Sequence, residues 1–387
     1  MKIKQQVTSN ASELVALYRD FHAHPELGFQ EFRSQEKISD YLANLGLKPR
    51  KIASTGVVTE LKSTKPGPTI LLRTDMDAIP VTEETGLPHA SETPGVMHAC
   101  GHDGHMAMLM VAAKILTGMS DEIAGTIKFL FQPNEEDAGA YKVVEEGIMN
   151  APDVDSVFGL HLWSQCPIGQ IDIIDGPQMA ASHYFKLKIK GHGGHAGFAH
   201  ESTDPVFIAS LIIQAVQGIQ TREVNALDPV VIIFTQMNAG TSSTIVPEVA
   251  ELKGSIRFLY AGGEALFKRF EQVISHICAA YGAEYELEFK KGNVLLENHP
   301  ETAALVRTAA AEVVGPEQVT TKIRTMAGED FSDYLAHATG VFAFVGFNNP
   351  EKNANYPHHH PKFTIDEDAL AIGTELHIRV ALKMLEV

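Results

Sequence analysis

Apolar residues along the chain follow two rhythms. Leu14, Leu17, Tyr18 and Phe21 recur at three- and four-residue steps, which puts them on one face of an opening helix. A second helix is expected over residues 30–45, with Gly46 in the C′ position, where a helix end turns left-handed. Residues 69–73 follow a Pro-Gly turn signal and read as a buried strand, as do residues 126–131 and 156–162. Residues 106–116 are apolar nearly all round, the mark of a helix buried on every side. Helices that alternate with strands in this way argue for an α/β sheet covered on both faces.

The texture changes near Ala181. Phe185, Leu187 and Ile189 alternate with Lys186, Lys188 and Lys190, the period of a half-exposed strand. A helix is expected over 205–222, with Pro205 in its first turn, followed by strands at 229–237 and 249–258. A helix over 263–281, ended by Gly282, leads to a last strand at 283–289. There Tyr285, Leu287 and Phe289 alternate with Glu284, Glu286 and Glu288. The order β-α-β-β-α-β is that of a split, ferredoxin-like unit, in which the first and last strands are antiparallel neighbours. Lysines would then face glutamates across that pair. Beyond Asn293 the α/β texture resumes, with helices at 300–314 and 365–385 and a strand at 341–345. The predicted architecture is a discontinuous α/β domain, residues 1–182 and 294–387, whose central mixed sheet is flanked by helices. A smaller ferredoxin-like insert, residues 183–293, interrupts it.

A length of 387 residues is compatible with this two-domain reading. The formal net charge of −17 opposes binding to nucleic acid, whose affinity rests on lysine and arginine against phosphate. Its simplest meaning is solubility. No apolar run of membrane-spanning length occurs, and the first ten residues carry no apolar signal core. Cys100, Cys166 and Cys278 are an odd, sparse set, which argues against a disulfide framework and for a reducing cytoplasm.

Candidate chemistry concentrates in the segment His98-Ala99-Cys100-Gly101-His102-Asp103-Gly104-His105. Thiolate and imidazole together suit zinc and its neighbours better than hard cations. Cys100 and His102 are the strongest ligand candidates; for His98 and His105 a supporting role stays open. Glu135-Glu136-Asp137 follows the strand that ends at Phe131, and strand ends are where α/β sheets place ligands. Two adjacent carboxylates can divide labour, one on a metal and one moving a proton. His161, read as ending the strand 156–162, has a parallel placement. His358-His359-His360-Pro361 lies in a loop rich in Asn and Pro, from which one or two rings can turn inward. The turn Gly191–Gly197 displays His195. It contains Gly-x-Gly-x-x-Ala, but no helix opens immediately after it, so a dinucleotide site is not expected.

In order along the chain, several motifs accompany these residues. They are His24-Pro25-Glu26-Leu27-Gly28-Phe29, Arg73-Thr74-Asp75-Met76-Asp77-Ala78, the 98–105 segment, Pro133–Glu136, Gly193-Gly194-His195-Ala196, Gly254-Ser255-Ile256-Arg257 and Glu329-Asp330-Phe331. With this set the chain resembles the dinuclear metal amidohydrolases related to aminoacylase and carboxypeptidase G. It is most similar to the branch of hippurate hydrolase and the plant indole-acetyl-amino-acid hydrolases. The resemblance implies two divalent ions per subunit (Zn²⁺ or Mn²⁺, with Co²⁺ or Ni²⁺ also compatible), held by Cys100, His102, Glu136, His161 and His359. His359 is picked out because the family pattern is His-x-Pro. Cys100 would lie between the ions, where more distant relatives use an aspartate. The resemblance further implies Glu135 as general base, His195, from the same subunit or a dimer mate, as oxyanion donor, and Asp77 as a supporting carboxylate. Arg257 is a candidate for the substrate carboxylate. Asp75 stands where wider relatives have a metal-binding histidine.

The implied reaction is hydrolysis of N-acyl-L-amino acids to a carboxylic acid and a free amino acid, by a homodimer joined through the insert. Two departures fall in the insert. Thr244 precedes Ile245-Val246-Pro247 where the branch often has Asn, and Phe198-Ala199-His200 replaces Met-Pro-His. Both bear on which substrate fits. The rival readings are a dipeptidase of the same wider family, an amidase using Cys100 as nucleophile, and a non-catalytic binding protein.

Overall fold

The computed structural model describes residues 2–386. Three helices open the chain: α1 (Lys2–Ser9), α2 (Ala11–Ala23) and α3 (Phe32–Asn44). Strands β1 (Arg50–Ile52), β2 (Gly56–Lys62) and β3 (Thr69–Asp75) follow, then α4 (His102–Thr117), β4 (Thr126–Gln132), α5 (Ala140–Glu145), β5 (Ser156–Pro167) and β6 (Ile171–Asp172). Next come β7 (Gly176–Met179), β8 (Ala181–Lys190), β9 (Gly194–His195), α6 (Pro205–Gly218), β10 (Val230–Ala239), β11 (Ile245–Val246), β12 (Val249–Phe258), α7 (Ala265–Ala280) and β13 (Glu284–Lys291). The chain ends with β14 (Leu296–Asn298), α8 (Pro300–Val314), β15 (Val319–Thr320), α9 (Ser332–Leu335), β16 (Thr339–Asn348) and α10 (Asp368–Met384).

The chain forms two compact units. One comprises Met1–Gly176, Glu297–Ile323 and Asp330–Val387, the other Pro177–Leu296 and Arg324–Glu329. The predicted insert, 183–293, falls inside the second. That unit also takes up residues 324–329, where Thr325 bridges to Met179 and the Ala180 N–H donates to the Ala327 carbonyl.

The first unit is built on an eight-stranded mixed sheet of order β1-β2-β4-β3-β5-β16-β6-β15. β3, β4, β5 and β16 run parallel as its centre, and β2 lies antiparallel to β4. β3 is buried at every position, which explains why it reads as a continuous run and not an alternating one. Helix α4 packs against α2 and α10, and its residues Met106–Ala113 are all buried. It begins at His102, four residues before the apolar stretch from which it was predicted. The first turn is polar, and its His102, Asp103 and His105 are buried because each has a partner. A reading of apolar spacing stops short of such residues.

The second unit carries a four-stranded antiparallel sheet of order β10-β12-β8-β13. β8 and β13, the first and last strands of the expected split unit, lie side by side. Lys190, Lys188 and Lys186 face Glu284, Glu286 and Glu288. The opposite-charge ladder expected from the alternation is therefore present, and Lys190 pairs with Glu286. The apolar face, with Phe185, Leu187 and Ile189, packs on Ile208 and Ile212 of α6 and on Phe270 and Ile274 of α7.

Candidate functional site

In the first unit, the register of the central strands builds the site. Asp75, the last residue of β3, pairs with Gln132, the last residue of β4. Arg73 pairs with Gly159, so His161 on β5 stands level with Asp75. The C-terminal ends of three parallel strands thus meet where ligands of such sheets collect. His161 does not end its strand, as the sequence suggested: β5 continues to Pro167, paired with the far end of β16. The extension was missed because Ser164, Gln165 and Pro167 break the apolar run.

Cys100, His102 and His161 bring ligand atoms within 4.8 Å of one another. Cys100, Glu136 and His359 do the same, so the thiol is common to both sets. Cys100 Sγ is 3.5 Å from His161 Nε2, and Glu136 Oε1 is 3.2 Å from His359 Nε2. His102, Glu135 and Glu136 form a third set, with Glu135 Oε2 4.0 Å from His102 Nε2. The structure therefore gathers Cys100, His102, Glu135, Glu136, His161 and His359 into one cluster. His359 enters it with a left-handed backbone (φ +64°) and an N–H donated to the Ala99 carbonyl, one residue before the thiol. Of its neighbours, His358 is hydrogen-bonded to the Leu162 carbonyl and to Ser164, and His360 stacks on Tyr356.

Hydrogen bonds on the far side of each ring set the tautomer. His102 Nδ1 donates to the Asp77 carbonyl at 2.8 Å, which leaves Nε2 as an acceptor; that atom is buried and has no hydrogen-bond partner. His161 Nδ1 donates to the Leu162 carbonyl at 2.7 Å, again freeing Nε2 toward the thiol. His105 is different. Its Nδ1 donates to Asp75 at 2.7 Å and its Nε2 accepts the Leu162 N–H at 2.9 Å, so neither nitrogen is left for a metal. Asp75, His102 and His105 also lie close together, but this bonding makes them a poor ligand set. Asp75 is instead neutralised by the buried Arg73, which also bonds Gln132 and Asp330. His98 is buried with no partner at either nitrogen, and burial pushes it down to about 4.

Asp77 has a second task. Its carboxylate accepts the backbone N–H of Glu135 at 2.9 Å and of Glu136 at 3.1 Å. It thereby orders the turn that carries both acids, while its own carbonyl orients His102. Spacing in the sequence cannot reveal a link between residues 77 and 135–136. The motif around Asp77 was the only signal.

The cluster is acidic. Burial and the nearby Glu136, Glu135 and Asp75 push the Cys100 thiol well above its ordinary range. Burial opposes protonation of His102, but Asp75 and Asp77 prevail and hold it up at about 10, so Nε2 serves as an acceptor once a divalent cation displaces its proton. Converging carboxylates, an acceptor nitrogen without a partner and a thiol near both ligand sets are what a divalent cation would satisfy, so the donor set fits two such ions. It does not suit a cysteine nucleophile, which needs electropositive surroundings. His161, beside the thiol, is held well below its ordinary range by burial and by His105 and His358, so it is a poor imidazolium partner.

The sequence model of peptidase family M20/M25/M40 matches residues 71–383. The chain belongs to this family. Among its relatives, thermostable carboxypeptidase 1 of Saccharolobus solfataricus is 37% identical over 99% of this chain and 98% of its own. N-acetylcysteine deacetylase of Bacillus subtilis is 37% identical over 97% of each chain. Among solved structures, a dinuclear metal binding peptidase from the M20 family, also of Bacillus subtilis, superposes with a TM-score of 0.87. It has 33% identity and covers 98% of this chain and 99% of its own. In this M20 member, as in that neighbour, a large mixed α/β sheet flanked by helices carries the fold.

His195 and Arg257 belong to the second unit, and the cluster above is assembled without them. His195 is exposed on β9, and its Nδ1 accepts the Gly197 N–H at 3.0 Å, so the neutral ring carries its proton on Nε2. Arg257, on β12, donates to the Met326 carbonyl at 2.8 Å. Both departures from the branch pattern lie beside His195. The Thr244 carbonyl accepts the Ala196 N–H, and the Phe198 ring is 5.3 Å from the imidazole.

Proposed function

We propose that this protein is a metal-dependent amidohydrolase that cleaves N-acyl-L-amino acids, hippurate-like or N-acetylated, into a carboxylic acid and a free amino acid. The observation that carries this reading is the thiol common to two ligand sets, with the further carboxylate of Glu135 beside them. Divalent ions held by Cys100, His102, Glu136, His161 and His359 would polarise the acyl oxygen and acidify a water near neutrality. Zn²⁺ or Mn²⁺ suits these donors, with Co²⁺ and Ni²⁺ compatible. Glu135 takes the proton of the attacking water and passes it to the leaving nitrogen. His195, donating from Nε2, stabilises the developing oxyanion, and the remaining guanidinium donors of Arg257 bind the substrate carboxylate.

The acylated substrate is supported by the N-acetylcysteine deacetylase among the relatives. The carboxypeptidase supports peptide hydrolysis as the second reading. Benzoyl-, acetyl- and indole-acetyl-amino acids assayed beside dipeptides separate the two. We expect activity on the acylated set, its loss to a chelator, and its return with Mn²⁺ or Zn²⁺. Faster turnover of dipeptides would shift the assignment to a peptidase, and an acyl-thioester trapped on Cys100 would overturn it. His195→Ala is expected to lower kcat by about 10²–10³, the usual cost of one oxyanion donor, with metal content unchanged. Near-wild-type turnover would remove that role.

The three cysteines are free thiols, which supports a reducing, cytoplasmic setting. No helix among the described residues is long and apolar enough to cross a membrane. A homodimer through the second unit is supported by Ile233 and Met237, apolar and about half exposed on the edge strand β10. Sedimentation as a monomer at assay concentration would remove it.

A further inference from the structure

The proposed reaction gives no role to the motif that opens at His24, and with it to the segment from Glu26 to Glu31, ahead of α3. It is tied down on both sides. The Glu26 carboxylate accepts the N–H groups of Arg33 and Ser34 at the start of α3, at 2.9 and 2.8 Å. The Glu26 carbonyl accepts the Ala78 N–H, directly after Asp77, and Leu27 bridges Ala78. On the other side lies Asn134, the residue before the two acids. A Cβ at Gly28 would come within 1.9 Å of Asn134 Oδ1, so a larger residue there would displace the Asn134 side chain. Glu31 itself is fully buried. One of its oxygens accepts the Asn134 N–H at 3.0 Å, and the other accepts the Thr55 hydroxyl at 2.5 Å.

Three consecutive amides, those of Asn134, Glu135 and Glu136, are therefore held by two buried carboxylates from distant parts of the chain. The held turn is not relaxed. Asn134 and Ala138, at its two ends, both have φ near +57°, a left-handed backbone that non-glycine residues adopt at a cost. Such a conformation persists only when its surroundings over-determine it. Asp77 accounts for two of the three amides, and Glu31 for the one at the strained residue.

We propose that Glu31 is a positioning residue for the reaction: by accepting the Asn134 N–H it holds the left-handed turn that aims the Glu135 carboxylate. This rests on the reading of Glu135 as the proton carrier. Among the described residues, the hydrogen bonds of the Glu31 carboxylate go to Thr55 and to Asn134 and to none of the five donors, so its removal should misplace the base without emptying the metal site. A displacement of about 1 Å at a reacting group costs on the order of 10² in rate.

The test compares Glu31→Ala and Glu31→Gln in the metal-loaded enzyme. In Glu31→Ala, hydrogen exchange at the amides of residues 134–136 should quicken by about tenfold, the scale of one lost buried bond. Metal content should hold, and kcat should fall by about 10² with KM little changed. Glu31→Gln should recover most of both losses. Its amide oxygen still accepts the Asn134 N–H, and the Thr55 hydroxyl can rotate to accept from its NH₂. Should Glu31→Ala fail to fold, Thr55→Val removes only the second anchor of the carboxylate and should shift exchange at 134–136 in the same direction, by less. Wild-type exchange at these amides in Glu31→Ala, or equal loosening throughout the protein, would overturn the inference. Exchange and metal content are read without substrate, so a failure of the base assignment would show separately, as an active Glu135→Gln enzyme.

Discussion

Glutamine in place of Glu135 is expected to keep the metal ions bound and to lower kcat by about 10²–10⁴, the contribution of a well-placed general acid–base group. The substitution preserves shape. The backbone N–H that Asp77 accepts is untouched, so the turn carrying Glu135 and Glu136 stays ordered. What changes is the capacity to take a proton, because an amide is not basic at the pH of the reaction. Cys100, with His102 and His161 on one side and Glu136 and His359 on the other, is assembled independently of Glu135. Metal content and kcat should therefore separate. KM should move little, since the lost interaction belongs to the transition state. Metal analysis beside steady-state kinetics decides the matter. Undiminished turnover would end the role of Glu135 as proton carrier, and loss of metal would make it a ligand instead.

That separation of roles between adjacent acids shows what the chain discloses before it folds. The elements with a clean apolar period were legible: β12 and α8 were predicted to their end residues, and β8 was recognised from a lysine alternation that the sheet explains. β2 was not predicted, although it lies between β1 and β4 and follows the turn cluster Ser54-Thr55-Gly56, because Gly56–Lys62 carries no strict alternation. Residues of the cluster were legible as types beside strand ends and glycines. The bonds that give them their tasks were not. That His105 is consumed by Asp75 and the Leu162 N–H, while His102 keeps a bare Nε2, depends on contacts across tens of residues. The Leu162 peptide orients His105, His161 and His358 through its backbone alone, so its side chain carries no hint of this. Glu31 is similar: its sequence position advertises a helix start, and its partner is Asn134, 103 residues away.

Removing the thiol of Cys100 should have a larger effect than any other single change in the cluster. Cys100→Ala is expected to lose both ions and to reduce turnover to background, because the thiol is the one donor common to both ligand sets. Without it, His102 and His161 are left as one pair and Glu136 and His359 as another, short of the three protein ligands usual in catalytic zinc sites. Folding stability offers a readout that needs no substrate. A ligand that binds only the folded chain stabilises it by about 4 kcal/mol at a thousandfold excess over Kd, so stripping metal should lower the Tm of the wild-type protein. The same chelator should leave the Tm of Cys100→Ala unchanged. Cys100→Asp returns an anion that can lie between two ions, and it should regain metal content together with part of the turnover. An alanine variant that keeps both ions but loses turnover would restore the cysteine nucleophile. One that keeps both ions and its turnover would show that the thiol is dispensable to the metal centre.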